Sequence, residues 1–178
     1  MNITIKPSNY SEPDCVTPVA PCLSEEMAAL AEFTVFIVDD DPGVLKSLTR
    51  LVGAAGYATQ SFSSAQQFLA AHDHDVPGCV IVDLRMPGID GRELQAALCD
   101  DEDDRSIIFV SGTTDAPTIV DAMKAGAIDF LIKPVRDQAL LDAVSTGIER
   151  DSARRRHHSP PGSEQRHRAP RDRLVNRR

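Results

Sequence analysis

With 178 residues, 42% of them hydrophobic, and a formal net charge of -8, the chain has room for one domain of ordinary size plus extensions. No run approaches the roughly 18 apolar residues needed to cross a bilayer, and the N-terminus lacks a basic-then-apolar leader, so a cytoplasmic protein with no membrane partner is expected. The four cysteines, Cys15, Cys22, Cys79 and Cys99, show no CxxC spacing, which argues against a zinc or disulfide framework.

Residues 1–31 carry Pro, Ser and acidic side chains in no periodic pattern and read as a disordered N-terminal extension, with Met27 as an alternative translation start. The globular region follows, taken as residues 32–150. Val35 to Val38 is a first strand, and Pro42 opens a helix with Val44, Leu45, Leu48, Leu51 and Val52 at helical spacing, stopping near Gly53 or Gly56. Tyr57 to Phe62 reads as an edge strand and Ala65 to Ala71 as a short helix. Cys79 to Asp83 is a third strand, with Cys79 serving as a small buried hydrophobe. After the turn at Met86-Pro87-Gly88 comes a helix from Gly91 to Cys99, then an acidic loop, Asp100 to Asp104, read as a solvated face. Ile107 to Val110 is a fourth strand, Pro117 to Lys124 a helix ended by Gly126, Ile128 to Ile132 a fifth strand, and Gln138 to Arg150 a last helix.

Four of these strands are short, continuous, largely β-branched runs, the signature of strands buried on both faces of a parallel sheet. The alternation predicts an α/β fold: a doubly wound five-stranded parallel sheet in the flavodoxin-like order 2-1-3-4-5, with helices on both faces. In that order the chain reverses between strands one and three, and ligands of such sheets lie beyond the carboxyl ends of the strands at that point. There the strands end in Asp39 and Asp40, Asp83, Ser111 and Lys133.

Carboxylates converging this closely repel one another unless a cation sits among them. Oxygen ligands with room for water suit Mg2+, which shares phosphate oxygens readily. Lys133 adds a point charge for an anion and Ser111 a hydroxyl donor, so the set describes phosphoryl transfer with Asp83 as the nucleophile. Each residue alone has an ordinary reading: Asp41 is a helix cap, and Ser111 or Lys133 taken singly would be turn and surface chemistry. Their joint placement at strand ends is what carries the inference. His72 and His74 lie in a polar loop without partner cysteines and are not read as metal ligands.

Val38-Asp39-Asp40-Asp41, Asp83-Leu84-Arg85-Met86-Pro87-Gly88-Ile89-Asp90-Gly91, Val110-Ser111-Gly112 and Lys133-Pro134 together resemble the receiver domain of bacterial two-component response regulators. Gly126-Ala127-Ile128-Asp129-Phe130 resembles members that carry a LuxR-type helix-turn-helix output domain. The resemblance covers about residues 33–150. It implies that Asp83 accepts phosphate from a phosphohistidine on a sensor histidine kinase. It implies that Mg2+ is bound by Asp40 directly, by Asp39 through water, by Asp83 and by the backbone carbonyl of Arg85. Ser111 and Lys133 would hold the phosphate oxygens, Phe130 would be the aromatic partner of the Ser111 switch, and the Lys133-Pro134 bond would be cis. A homodimer through the fourth helix, fifth strand and fifth helix is implied by the same likeness. Ser111 and Ser106 depart from the Thr and Pro common at those positions, without removing a needed group.

The charge is unevenly divided: residues 1–149 carry 9 basic and 24 acidic side chains, net -15, whereas residues 150–178 carry 10 arginines and 3 acids, net +7. The acidic body argues against DNA binding by the receiver itself. Residues 151–178 are expected to form a basic disordered tail with no output domain, either as a single-domain regulator or as a transcriptional regulator truncated or frameshifted after the receiver. A haloacid-dehalogenase-type phosphatase, with Asp39 as nucleophile and Asp41 as acid/base, is the enzyme alternative. It lacks the second acidic pair that family needs on a later strand, so the chain is expected to catalyse only its own phosphorylation and dephosphorylation.

Overall fold

The computed structural model describes residue 30 and residues 32–100, 105–112 and 115–158. Expectations for residues 1–29, for the acidic loop 101–104 and for 159–178 lie outside the described residues. The strands are β1 (Thr34–Val38), β2 (Ala58–Phe62), β3 (Gly78–Asp83), β4 (Ser106–Ser111) and β5 (Asp129–Ile132). The helices are α1 (Pro42–Ala54), α2 (Ala65–Ala71), α3 (Gly91–Asp100), α4 (Ala116–Lys124) and α5 (Asp137–His158). All strand pairs are parallel and the order is β2-β1-β3-β4-β5, as the alternating pattern predicts.

The pleat divides the strand side chains between two cores. Phe36, Val38, Val80, Val82, Ile107 and Phe109 face the layer holding Phe68 of α2, Leu94 and Leu98 of α3 and Ala122 of α4. Val35, Ile37, Cys79, Ile81, Ile108 and Val110 face Leu48 and Val52 of α1 and Leu140, Val144 and Ile148 of α5. β1, β3 and β4 are buried throughout, which is why their interior positions form continuous apolar runs rather than alternating ones, with polar residues only at their ends.

Two expectations are corrected. Phe130-Leu131-Ile132 was read as buried on both faces, but β5 is an outer strand, partly buried, with Ile132 46% exposed. An apolar run cannot reveal whether a strand lies at the centre or the margin of its sheet. The last helix does not stop at Arg150: it continues to His158, so the first eight residues assigned to a disordered tail are helical. Asp151, the first residue of the added turns, is buried and accepts a bond from the Gly78 N–H in the body of the domain.

Candidate functional site

The chemistry-bearing side chains occupy the carboxyl ends of β1, β3, β4 and β5. Asp39 follows β1 directly, its N–H bonded to the carbonyl of Phe62 at 3.2 Å. Its carboxylate is nearly inaccessible, with Oδ1 accepting the Asp41 N–H at 2.9 Å. Asp41 is spent locally: its own Oδ1 accepts the Gly43 and Val44 N–H groups at 2.7 and 3.4 Å, capping α1 ahead of Pro42. Asp40, between them, is exposed.

Asp83 closes β3 and is 7% exposed. Its Oδ2 accepts the Arg85 N–H at 2.7 Å. The chain then turns back, and the Gly91 N–H donates to the Leu84 carbonyl at 3.0 Å. Gly91 is required there: a Cβ would lie 2.6 Å from the Asp83 carbonyl oxygen and 3.0 Å from both Phe109 Cε1 and Val82 Cγ1. Asp90 and Glu93 form a capping box at the start of α3. Asp90 Oδ1 accepts the Arg92 and Glu93 N–H groups at 2.9 and 2.8 Å, and Glu93 Oε2 accepts the Asp90 N–H at 2.9 Å.

Lys133 joins the two buried acids. Its ammonium donates to Asp39 Oδ2 at 2.8 Å and to Asp83 Oδ1 at 2.7 Å. Its backbone N–H donates to the Ser111 carbonyl at 2.8 Å, which ties the end of β5 to the end of β4. Burial pulls the Lys133 ammonium toward a lower pKa, but hydrogen bonds and charge from Asp39 and Asp83 outweigh it and raise the pKa above its ordinary value. Lys133 is therefore a permanent cation at neutral pH. The Ser111 side chain is buried beside this group. The Lys133-Pro134 peptide bond is cis. Phe130 is half-buried, its ring 6.0 Å from that of Phe109.

The structure thus brings Asp39, Asp83 and Lys133 into direct contact, joins Ser111 through the backbone, and leaves Asp40 and the Arg85 side chain exposed. Among the described residues no three His, Cys, Asp or Glu side chains form a cage able to hold a metal by themselves. The donor set is nonetheless all oxygen, and its two buried carboxylates outnumber their shared ammonium. That suits a hard cation held by one or two carboxylates while retaining several waters, which is how Mg2+ is bound. No helix among the described residues is long and apolar enough to cross a membrane.

Sequence reasoning missed three buried polar residues: Gln95, Arg105 and Asp151. Gln95 ties α3 to the end of α4, donating to the carbonyls of Ala122 and Ala125 at 3.3 and 3.2 Å. Arg105 stands over the Phe36 ring at 4.8 Å and donates to the carbonyls of Val76 and Asp73 at 3.1 and 2.9 Å. Only its position immediately before an apolar strand distinguishes Arg105 in the sequence, and nothing there distinguishes Asp151 or Gln95.

Comparison with known proteins places these features. Residues 35–145 match the response regulator receiver domain. Nodulation protein W of Bradyrhizobium diazoefficiens is 45% identical over 121 residues, covering 68% of this chain and 53% of that protein. Transcriptional regulatory protein TdiR of Thauera aromatica is 44% identical over 115 residues, covering 65% of this chain and 51% of that protein. The structure of response regulator StyR superimposes with a TM-score of 0.67 at 44% identity, covering 70% of this chain and 63% of that one. The chain spans about half the length of the relatives it matches. With the matched segment running from β1 into α5, and with the strand order those relatives' fold requires, the chain belongs to the response regulator receiver domain family, the phosphorelay signalling proteins.

Proposed function

We propose that Asp83 is the phosphoryl acceptor and that the chain takes its phosphoryl group from a phosphohistidine on a sensor histidine kinase. The observation that carries this reading is the position of Lys133 Nζ, 2.7 Å from Asp83 Oδ1 and 2.8 Å from Asp39 Oδ2. An Asp83 oxygen attacks phosphorus as the bond from phosphorus to the donor imidazole nitrogen breaks, leaving an aspartyl phosphate. Lys133 neutralises charge on the transferred oxygens, and the Ser111 hydroxyl donates to one of them. Asp39, Asp40, Asp83 and the Arg85 carbonyl would hold Mg2+, which supplies further charge neutralisation. Phe130, on the strand beside Ser111, would move when that hydroxyl is drawn toward phosphate. Val120 and Met123 of α4 and Ile132 of β5 are exposed, and they support a face for homodimerisation through α4, β5 and α5. The likeness to a named transcriptional regulator supports transcription as the process controlled, and the resemblance of Gly126-Ala127-Ile128-Asp129-Phe130 is what points to a LuxR-type output domain.

Incubation with acetyl phosphate and Mg2+ should give an acid-stable, base-labile phosphoprotein, and Asp83→Asn should abolish it. Label that survives Asp83→Asn but vanishes in Asp39→Asn would favour the phosphatase reading instead. Engagement of Asp41 as the cap of α1 weighs against its acting there as acid/base.

A further inference from the structure

The opposite, amino ends of the strands hold a second ionic cluster that phosphoryl transfer does not use. It is built around the part of α5 that lies beyond Arg150, an Asp-Ser-Ala-Arg-Arg-Arg-His-His segment with no large apolar residue. Such a segment has no hydrophobic face to pack, and the last turns of a helix fray unless something holds them. What holds these turns is polar. The Asp151 carboxylate is 1% exposed, and its Oδ2 accepts the Gly78 N–H at 3.0 Å and Arg155 Nε at 2.8 Å. Arg154 pairs with its other oxygen. Arg155 goes further, donating to the carbonyls of His74, Asp75 and Val76 at 2.8, 3.0 and 3.2 Å. Arg105, from the start of β4, reaches the same loop through Asp73 and Val76.

Gly78 makes the arrangement specific. Its φ is +149° and a Cβ there would lie 1.8 Å from the Thr34 carbonyl oxygen, so only glycine presents this N–H to α5 at the start of β3. One carboxylate therefore receives a backbone donor from the sheet and two guanidiniums from its own helix, and one of those guanidiniums grips the loop leading into the sheet.

We propose that Asp151 and Arg155 form a clamp that fixes the first two turns of α5 beyond Arg150 to the receiver body. The clamp keeps residues 151–158 helical, as a continuation of α5 held at its start against the body. Its contacts lie at the amino ends of the strands, so it does not rest on Asp83 as the acceptor.

Hydrogen–deuterium exchange on the full chain, followed in peptides covering 151–158 and 73–79, tests it. The wild-type chain should show protected amides in 152–156. Asp151→Asn and Arg155→Ala should each lower that protection roughly 10- to 100-fold, the range for losing a hydrogen bond to a charged group. Exchange in β1 and acetyl-phosphate labelling should stay at wild-type levels. Arg155→Ala leaves Asp151 paired with Arg154 and Gly78, so it decides the matter if Asp151→Asn fails to fold. Unprotected 152–156 in the wild type, or unchanged protection in a folded Arg155→Ala, would overturn the clamp.

Discussion

The two ionic clusters lie at opposite ends of the same strands. β3 starts at Gly78, bonded to Asp151, and finishes at Asp83, bonded to Lys133; β4 starts beside Arg105 and finishes at Ser111. At the carboxyl ends, two buried carboxylates share one ammonium that is 28% exposed, so negative charge is in excess and solvent can reach it. At the amino ends, one buried carboxylate meets two guanidiniums, and the loop carbonyls of residues 73–76 accept further donors from Arg105 and Arg155. The first cluster is short of cations and open, which suits it to bind and exchange them. The second finds its main partners within the fold, which suits it to hold elements together. Buried charge serves either role; what separates them is whether the partners are already inside the protein.

Removing one cation from each end should break this contrast if it is false. Lys133→Met should reduce acetyl-phosphate labelling by about 100-fold or more, as expected for loss of a group that neutralises developing charge, while circular dichroism still reports a folded chain. Arg105→Met should do the reverse. It removes two charge-assisted bonds to the loop carbonyls of Val76 and Asp73, so a urea titration should show about 1–3 kcal/mol less stability, with labelling of the folded protein unchanged. Labelling that survives Lys133→Met, or that collapses in folded Arg105→Met, would erase the division of roles.

Gly91→Ala sharpens the comparison from the acceptor side. The new Cβ would press on the Asp83 carbonyl at 2.6 Å, so a loss of about 1–3 kcal/mol is expected together with slower labelling. The smallest effect is a pH dependence on the clamp side. Burial first, then the charge of Asp151, pushes the Cys79 thiol from 9.0 to about 12. Because the folded value is the higher one, this contribution to stability is complete below the unfolded pKa of 9.0 and is lost as pH climbs toward about 12. Stability should fall by about 1 kcal/mol between neutral pH and about pH 10, and Cys79→Ala should flatten that stretch of the curve. A slope unchanged by the substitution would place the alkaline loss elsewhere.

Much of the acceptor side was legible before any coordinates. Apolar runs ending in Asp39, Asp83, Ser111 and Lys133 imply parallel strands, and parallel strands present their carboxyl ends together, so the residues that meet at 2.7 and 2.8 Å could be named in advance. Asp41 was equally plain, since an acid before Pro42 at the head of a helical pattern has one ordinary role. The clamp was not legible. Asp151 opens a basic stretch whose composition reads as solvated; its partner Gly78 lies 73 positions away, and Arg155, only four residues along the helix, grips carbonyls 79 to 81 positions away.

What the chain's order of residues determined by itself was everything that depends on periodicity and on neighbours: the alternation of elements, the helix caps, the turn glycines, and the chemical groups at each strand end. Only the tertiary structure decided how far β5 is covered, where α5 ends, and which charged side chains were buried. The reason is physical. Hydrophobic pattern reports how much of a segment is covered, whereas a buried charge is tolerated only where distant backbone groups converge on it, and that convergence exists in no stretch of sequence.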